Sequence, residues 1–302
     1  MAGPPASARL TSFMANPDAP RTAAVDAGTA QAFATSWNNL PDGSVYTRAQ
    51  FEDWLGPLVQ ADVQGRDVLE LGCGNGSLLV HMAGWRPRKL VGVDLGASVT
   101  SARANLAQTG YQGGEIVQHD LTAYRSPGFD LVYCIGVLHH LKDPEAGLDA
   151  VLANVKPGGR FHCWVYAHEG NAVVRWGVEP IRRVASRLPW WLNKYGIATP
   201  LAVPFYAYAK TLRALSRRGG AARSRSLAAL PMYAYSLWVA EREFGFFRHV
   251  AFDQLVTPQT RFIRRSEIEG WLRARHGRVD PASVYVIARN GNSWKFGGRV
   301  LG

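Results

Sequence analysis

Short apolar runs alternate with amphipathic stretches through the first half of the chain. Apolar runs at 67–71, 89–94, 115–118, 129–135 and 160–166 predict five strands, each bounded by glycine, proline or polar residues. Between them, 77–82, 98–109 and the stretch after Asp143-Pro144 carry helical spacing, the last with Leu148, Val151 and Leu152 on one face. Before the first strand, 29–37 predicts a short helix. Thr47-Arg48-Ala49-Gln50 is a capping box opening another, whose inner face is Phe51, Trp54 and Leu55 until Pro57 ends it. Strands alternating with helices imply a mostly parallel sheet covered on both faces. The alternation stops after 167. Residues 168–265 read as helical, aromatic-rich stretches without a βα repeat. The pattern resumes at Ser266-Glu267-Ile268-Glu269, read as a capping box ahead of Ile268, Trp271 and Leu272. It closes with a hairpin of 283–289, the Asn290-Gly291 turn and a strand from Ser293. The expected organisation is an N-terminal helical segment (1–60), an α/β core (61–167), an inserted helical cap (168–265) and a completing helix and hairpin (266–302).

Composition and charge refine this picture. A chain of 302 residues, 47% hydrophobic and 19% charged, is globular rather than disordered. The net charge of +11 is unevenly spread: residues 1–160 carry −3 and the rest +14. The second part therefore attracts an anionic substrate, a nucleic acid or an acidic membrane surface. From Arg182 to Arg225 there are ten Lys/Arg and no Asp/Glu. Leu188-Pro189-Trp190-Trp191-Leu192 and the stretch from Ile197 to Leu215 lie among them, with Phe205, Tyr208, Leu212 and Leu215 expected on one face. Lys210, Arg213 and Arg217 are expected toward solvent or lipid headgroups. Such a cap suits an anionic membrane contact, a roof over a lipophilic substrate, or a homodimer interface. Residues 217–223 read as an exposed loop. Cys73, Cys134 and Cys163 are unclustered, which suggests neither a disulfide framework nor a metal site. Without an apolar leader or a spanning run, a cytoplasmic protein is expected, with at most peripheral membrane contact.

The most specific chemical signal is Glu70-Leu71-Gly72-Cys73-Gly74-Asn75-Gly76, where a strand runs into a glycine loop that lets the backbone approach a ligand. Asp94 ends the next strand, where a carboxylate can accept hydrogen bonds from ribose hydroxyls. Both features also suit a nicotinamide or flavin. Ser77, however, stands where a dinucleotide fingerprint needs its third glycine, and no Gly-Lys-Ser/Thr of a P-loop is present.

On these residues the chain resembles the class I S-adenosylmethionine-dependent methyltransferases, especially the small-molecule branch that includes quinone-biosynthesis enzymes. The resemblance covers 60–167 well and 266–300 loosely, and implies a Rossmann-like sheet binding S-adenosyl-L-methionine. It implies that Glu70, Gly72, Cys73, Gly74, Asn75 and Gly76 line the methionine half, that Asp94 holds the ribose and that Leu95 packs on adenine. In His119-Asp120-Leu121, Asp120 would face the exocyclic amine beside Leu121, and Cys134-Ile135-Gly136 would pass the methionine moiety through backbone groups. Leu138-His139-His140-Leu141 and Lys156-Pro157-Gly158-Gly159 resemble the branch's usual wording. Trp37-Asn38, Tyr46 and Trp54 resemble helices that fold over the cofactor, Tyr46 at the methionine end.

Methyl transfer from a sulfonium needs alignment and exclusion of water, with a base only for a protonated nucleophile. His140 and His139 stand where acceptor and methyl would meet, to orient or deprotonate the acceptor or to cap the next turn. Glu169, just past the fifth strand, is a candidate for steering a cationic or hydroxyl group, or a partner for a cap arginine. His249 and Asp253, in a Phe-rich turn, are either pocket lining or a structural pair. The reading favoured is methyl transfer to oxygen or nitrogen of a small aromatic, lipophilic or acidic metabolite. The basic second part keeps a nucleic-acid substrate in view, but the Asn/Asp-Pro-Pro-aromatic and Pro-Cys patterns of base-methylating enzymes are missing. A non-catalytic cofactor-binding protein of the same fold is the third reading.

Overall fold

Five of the seven strands are the apolar runs named above, because a strand covered on both faces has no polar side to alternate with. In the computed structural model, which describes residues 28–29, 31–32, 46–218 and 226–302, these are β1 (Asp67–Leu71), β2 (Lys89–Asp94), β3 (Gly114–Gln118), β4 (Phe129–Ile135) and β5 (Val155–Tyr166). They pair in parallel, and β6 (Tyr285–Arg289) and β7 (Ser293–Arg299) complete the sheet in the order β3-β2-β1-β4-β5-β7-β6. Only β7 runs antiparallel to its neighbours, entering between β5 and β6. The helix expected over 29–37 and the Trp37-Asn38 pair fall largely outside the described residues, as do residues 219–223 of the expected loop.

The helices are α1 (Arg48–Leu55), α2 (Gln60–Val63), α3 (Ser77–Ala83), α4 (Val99–Gln108) and α5 (Pro144–Asn154), then α6 (Glu179–Ala185), α7 (Thr199–Arg218), α8 (Tyr233–Ala240), α9 (Phe244–Val256) and α10 (Arg265–Ala274). Thr47 and Gln50 close the capping box of α1 reciprocally, at 3.2 and 2.9 Å. Asp143 caps α5 by accepting from the Glu145 and Ala146 N–H groups. The box expected at Ser266 is displaced: α10 starts at Arg265, and Glu267 accepts the Arg264 N–H at 3.0 Å. Glu267 also binds Arg261 at 2.7 Å, while Glu269 pairs with Arg265 at 2.7 Å.

Alternation along the strands sorts side chains onto two faces. Leu69, Val132, Cys134, Phe161 and Cys163 join one core. Val68, Tyr133, Ile135 and Trp164 join the other, with Phe51 and Leu55 of α1 and Leu79 and Met82 of α3. The chain leaves the sheet after β5 and rejoins it where Ala167 bridges Ile263. The described residues between are mostly helical, and α9 is their hub, with α6, α7 and the π-helical stretch Leu192–Ala198 packed on it. Residues 244–256, expected to hold a Phe-rich turn, are therefore a helix that buries Phe247, Phe252 and Leu255. On α7 the buried positions are Ala202, Ala209 and Leu212, while Leu215 of the expected apolar face is exposed. Lys210 and Arg213, expected in solvent, both donate to the Ala240 carbonyl at 2.9 Å, satisfying the C-terminus of α8.

Candidate active site

The carboxyl end of β1 turns sharply at Gly72 (φ +83°), and the Gly72 and Cys73 N–H groups both donate to the Val93 carbonyl at the end of β2. Gly74 donates to Asp94 Oδ2 and Gly96 to Asp94 Oδ1, each at 2.8 Å, so one carboxylate ties the loops after β1 and β2 together. Burial pushes the Asp94 carboxyl above its usual range against the pull of those two N–H groups. A Cβ at Gly72 would lie 2.4 Å from Val137 Cγ2, so the loop passes as close to the β4 loop as a bare backbone allows. Glu70 is buried beneath it, accepts the Tyr133 hydroxyl at 2.9 Å, and is raised to about 8 by desolvation.

These loops line one end of a cavity of about 270 Å³ that continues under the helical insertion. Of the residues expected at a cofactor, Tyr46, Glu70, Gly72, Cys73, Gly74 and Asn75 reach the wall from the β1 side. Asp94, Leu95, Asp120 and Leu121 reach it from the β2 and β3 loops. Asp120 is held by the Thr122 N–H and hydroxyl at 2.8 and 2.7 Å. Two of the expected acceptor-handling residues, His140 and Asp253, also face the cavity. His140 Nδ1 lies 2.9 Å from the Gln259 carbonyl, which can only accept, so Nδ1 carries the proton and Nε2 the lone pair. Burial lowers the pKa of this imidazole to about 4.

Other expected site residues lie elsewhere. Gly76 (φ +77°) opens α3 against Ala102 and lies behind the wall. Cys134 points into the opposite core, because alternation on β4 gives the cavity Ile135 and then Gly136. His139 is fully buried and packs on His140 and Tyr166, with ring centroids 4.1 and 4.2 Å away. Glu169 accepts the Trp294 indole N–H and the Arg265 backbone N–H, a structural pairing outside the cavity. His249 is buried behind Asp253, its Nε2 3.2 Å from Oδ2.

A family model for the methyltransferase domain matches residues 45–202, more than half of the chain. The chain belongs to the methyltransferase domain family. Within it, the chain is 34% identical over 99 residues to a ubiquinone biosynthesis O-methyltransferase of Stutzerimonas stutzeri, covering 32% of this chain and 42% of that one. It is 36% identical over 118 residues to the enzyme of that name from Albidiferax ferrireducens, covering 38% and 44%. The matches thus span less than half the length of these relatives. In fold, it is similar to a magnesium protoporphyrin IX methyltransferase from Synechocystis PCC 6803, with a TM-score of 0.51 at 14% identity, over 94% of this chain and 100% of that one.

This methyltransferase-family site also contains residues that sequence reasoning missed. Trp164 sits two positions before Tyr166, which closes the fifth strand at the expected carboxyl edge, and shares a sheet face with it and Ile135, a period-two signal that was available. Trp54, expected to fold over the site, does so from α1, stacking edge-on with Tyr46 at 4.6 Å. The indole N–H groups of Trp54 and Trp164 are buried without a hydrogen-bond partner, although both side chains line the cavity. Met232, Tyr235, Trp238 and Phe246 close the far end from α9, α8 and the turn before it. Arg289 reaches the wall at the end of β6, between the rings of Trp54 and Trp238 at 5.6 and 5.5 Å and paired with Asp53. Nothing local in the sequence marks it, because both ring partners come from distant segments.

Proposed function

We propose that the chain transfers the methyl group of S-adenosylmethionine to an oxygen or nitrogen of a small, lipophilic aromatic acceptor held under the helical cap. The observation that carries this reading is one cavity with two ends. The glycine loop, Asp94 and Asp120 line one; Trp164, Tyr166, Tyr235, Trp238 and Phe246 line the other, with His140 and Asp253 among them. The residues present fit the cofactor. A loop that only glycine permits at position 72 and a carboxylate at Asp94 suit a nucleoside bearing hydroxyl groups.

When bound, S-adenosylmethionine supplies an electrophilic methyl group on a sulfonium. Asp94 would hold the ribose hydroxyls and Asp120 the adenine amine, with Leu95 and Leu121 beside the base. Glu70 sits toward the cationic amino-acid end. The aromatic end positions the acceptor and excludes water, which is most of what a displacement at methyl requires. His140, neutral at pH 7, offers Nε2 to the hydroxyl of a phenol-like acceptor. There it would take the proton of that hydroxyl and later pass it to solvent. The resemblance to quinone-pathway enzymes favours a phenol, and the aromatic wall agrees with it.

The test is transfer of radiolabelled methyl from S-adenosylmethionine to a panel of hydrophobic phenols, aromatic amines and carboxylic acids. Label in a phenol or amine is expected, with His140→Gln lowering phenol turnover about 100-fold and leaving cofactor affinity nearly unchanged. Label appearing only in added RNA or DNA, or in no acceptor, contradicts the reading.

A further inference from the structure

Between Arg182 and Ala240 the chain carries ten basic residues and no acidic one. The same region shows its largest apolar groups outward. Residues 172–185 run as one helix with a π-turn, and Val173, Trp176, Pro180 and Val184, followed by Arg187 in the turn after it, recur at intervals of three or four on the unburied side. Trp176 is 78% exposed and Val184 62%; Trp191 and Tyr195, in the next helical stretch, are 55% and 53% exposed. The inner sides are accounted for. Arg182, Ala185 and Ala198 are buried, and the helices carrying them pack on α9. The outer sides have no packing partner among the described residues. Isolated exposed apolar residues need no explanation, but several large aromatics and aliphatics rimmed by arginines mark an interaction surface.

We propose that the outer face of the cap, residues 172–203, seats on an anionic lipid bilayer. Tryptophan and tyrosine favour the headgroup boundary, valine and leucine (Val173, Val184, Leu201, Val203) the acyl layer just below, and arginine an anionic surface. A second copy fits less well, since a twofold contact sets this basic face against itself, and Glu179, the one acid within residues 172–203, is already paired with Arg182 rather than open to Arg183 and Arg187. A nucleic acid would answer the charge and leave the aliphatic groups in water. Among the described residues no helix is long and apolar enough to cross a membrane, so the contact lies on the surface. The segment is also a partition. Val174 lines the cavity while its neighbours Val173 and Trp176 face outward, which places the aromatic end of the cavity one helix from the lipid. The inference stands on the outer face alone and does not depend on methyl transfer.

The test is co-sedimentation of the full chain with phosphatidylcholine vesicles, with and without phosphatidylglycerol. Binding is expected only when phosphatidylglycerol is present, and is expected to fall in high salt. Arg183→Gln/Arg187→Gln should weaken partitioning roughly 25-fold, since each basic side chain near such a surface is worth about fivefold. Trp176→Ser/Trp191→Ser should weaken it as well, both variants keeping the wild-type thermal midpoint. Equal binding to neutral and anionic vesicles overturns the proposal. So does no binding to either, whether the protein then proves to be a dimer through this face or binds an oligonucleotide through the same arginines.

Discussion

Glu70 is the side chain whose protonation ties cofactor binding to stability. Buried and raised to about 8, it is largely protonated at pH 7 in the empty site. A cationic ligand beside it favours the carboxylate, so S-adenosylmethionine binding at pH 7 should release about one proton. Calorimetry in buffers of different ionisation heat reads this directly, and Glu70→Gln should abolish the buffer dependence. The same substitution keeps an acceptor for the Tyr133 hydroxyl while removing a group that must ionise in the dry interior. Glu70→Gln should therefore raise the melting temperature of the unliganded protein at pH 8 while weakening cofactor binding. Residues of this kind were legible because glycine, a carboxylate and a strand end occur together within a few positions. Arg289 and Trp238 were not, because their meeting depends on how the insertion folds back over the sheet.

The loop after β1 shows how far local sequence determines an element. Its glycines implied a tight turn, and Gly72 has both the positive φ and the close neighbour that exclude a side chain. Gly72→Ala should cost about 3 kcal/mol from backbone strain and overlap with Val137, and should weaken cofactor binding. Adding Val137→Ala removes the overlap but not the strain, so the double variant should recover part of the stability in thermal melts. Full recovery would show that φ does not matter there. Strands β1, β2, β4 and β5 were readable as apolar runs, since burial on both faces leaves a continuous signal, whereas β3, exposed or half-buried along its length, left only Ile116 and Val117. The helices of the insertion were harder. α9 is apolar nearly all round because it is the hub, and without a polar face its periodicity disappears. The bonds of Lys210 and Arg213 could not be read locally, because the carbonyl they share lies on another helix, 30 and 27 residues away in sequence.

Across the folded protein, three buried neutral histidines set the acid limit of stability. Burial lowers His140 and His162 to about 4 and His139 well below its usual value. Their depressed pKa values contribute stability that is present above about 6.5, where the unfolded chain is also neutral, and lost as pH falls toward 4. His140 and His162 are each worth on the order of 3 kcal/mol by pH 4. Glu70 has the opposite sign: its raised pKa contributes stability below about 4.5 that is lost as pH rises through 8. The unliganded protein should therefore be most stable between these limits, and melting temperatures from pH 4 to 9 should show it. A midpoint still rising below pH 5 would mean that the histidines are solvated. The most direct measurement is calorimetric titration of S-adenosylmethionine into the wild-type chain and into Asp94→Ala and Asp94→Asn. One molecule should bind per chain, about 100-fold more weakly or more in the alanine variant, with the asparagine variant between. Undiminished binding by Asp94→Ala, or no binding by the wild type, would contradict the assignment of this cavity.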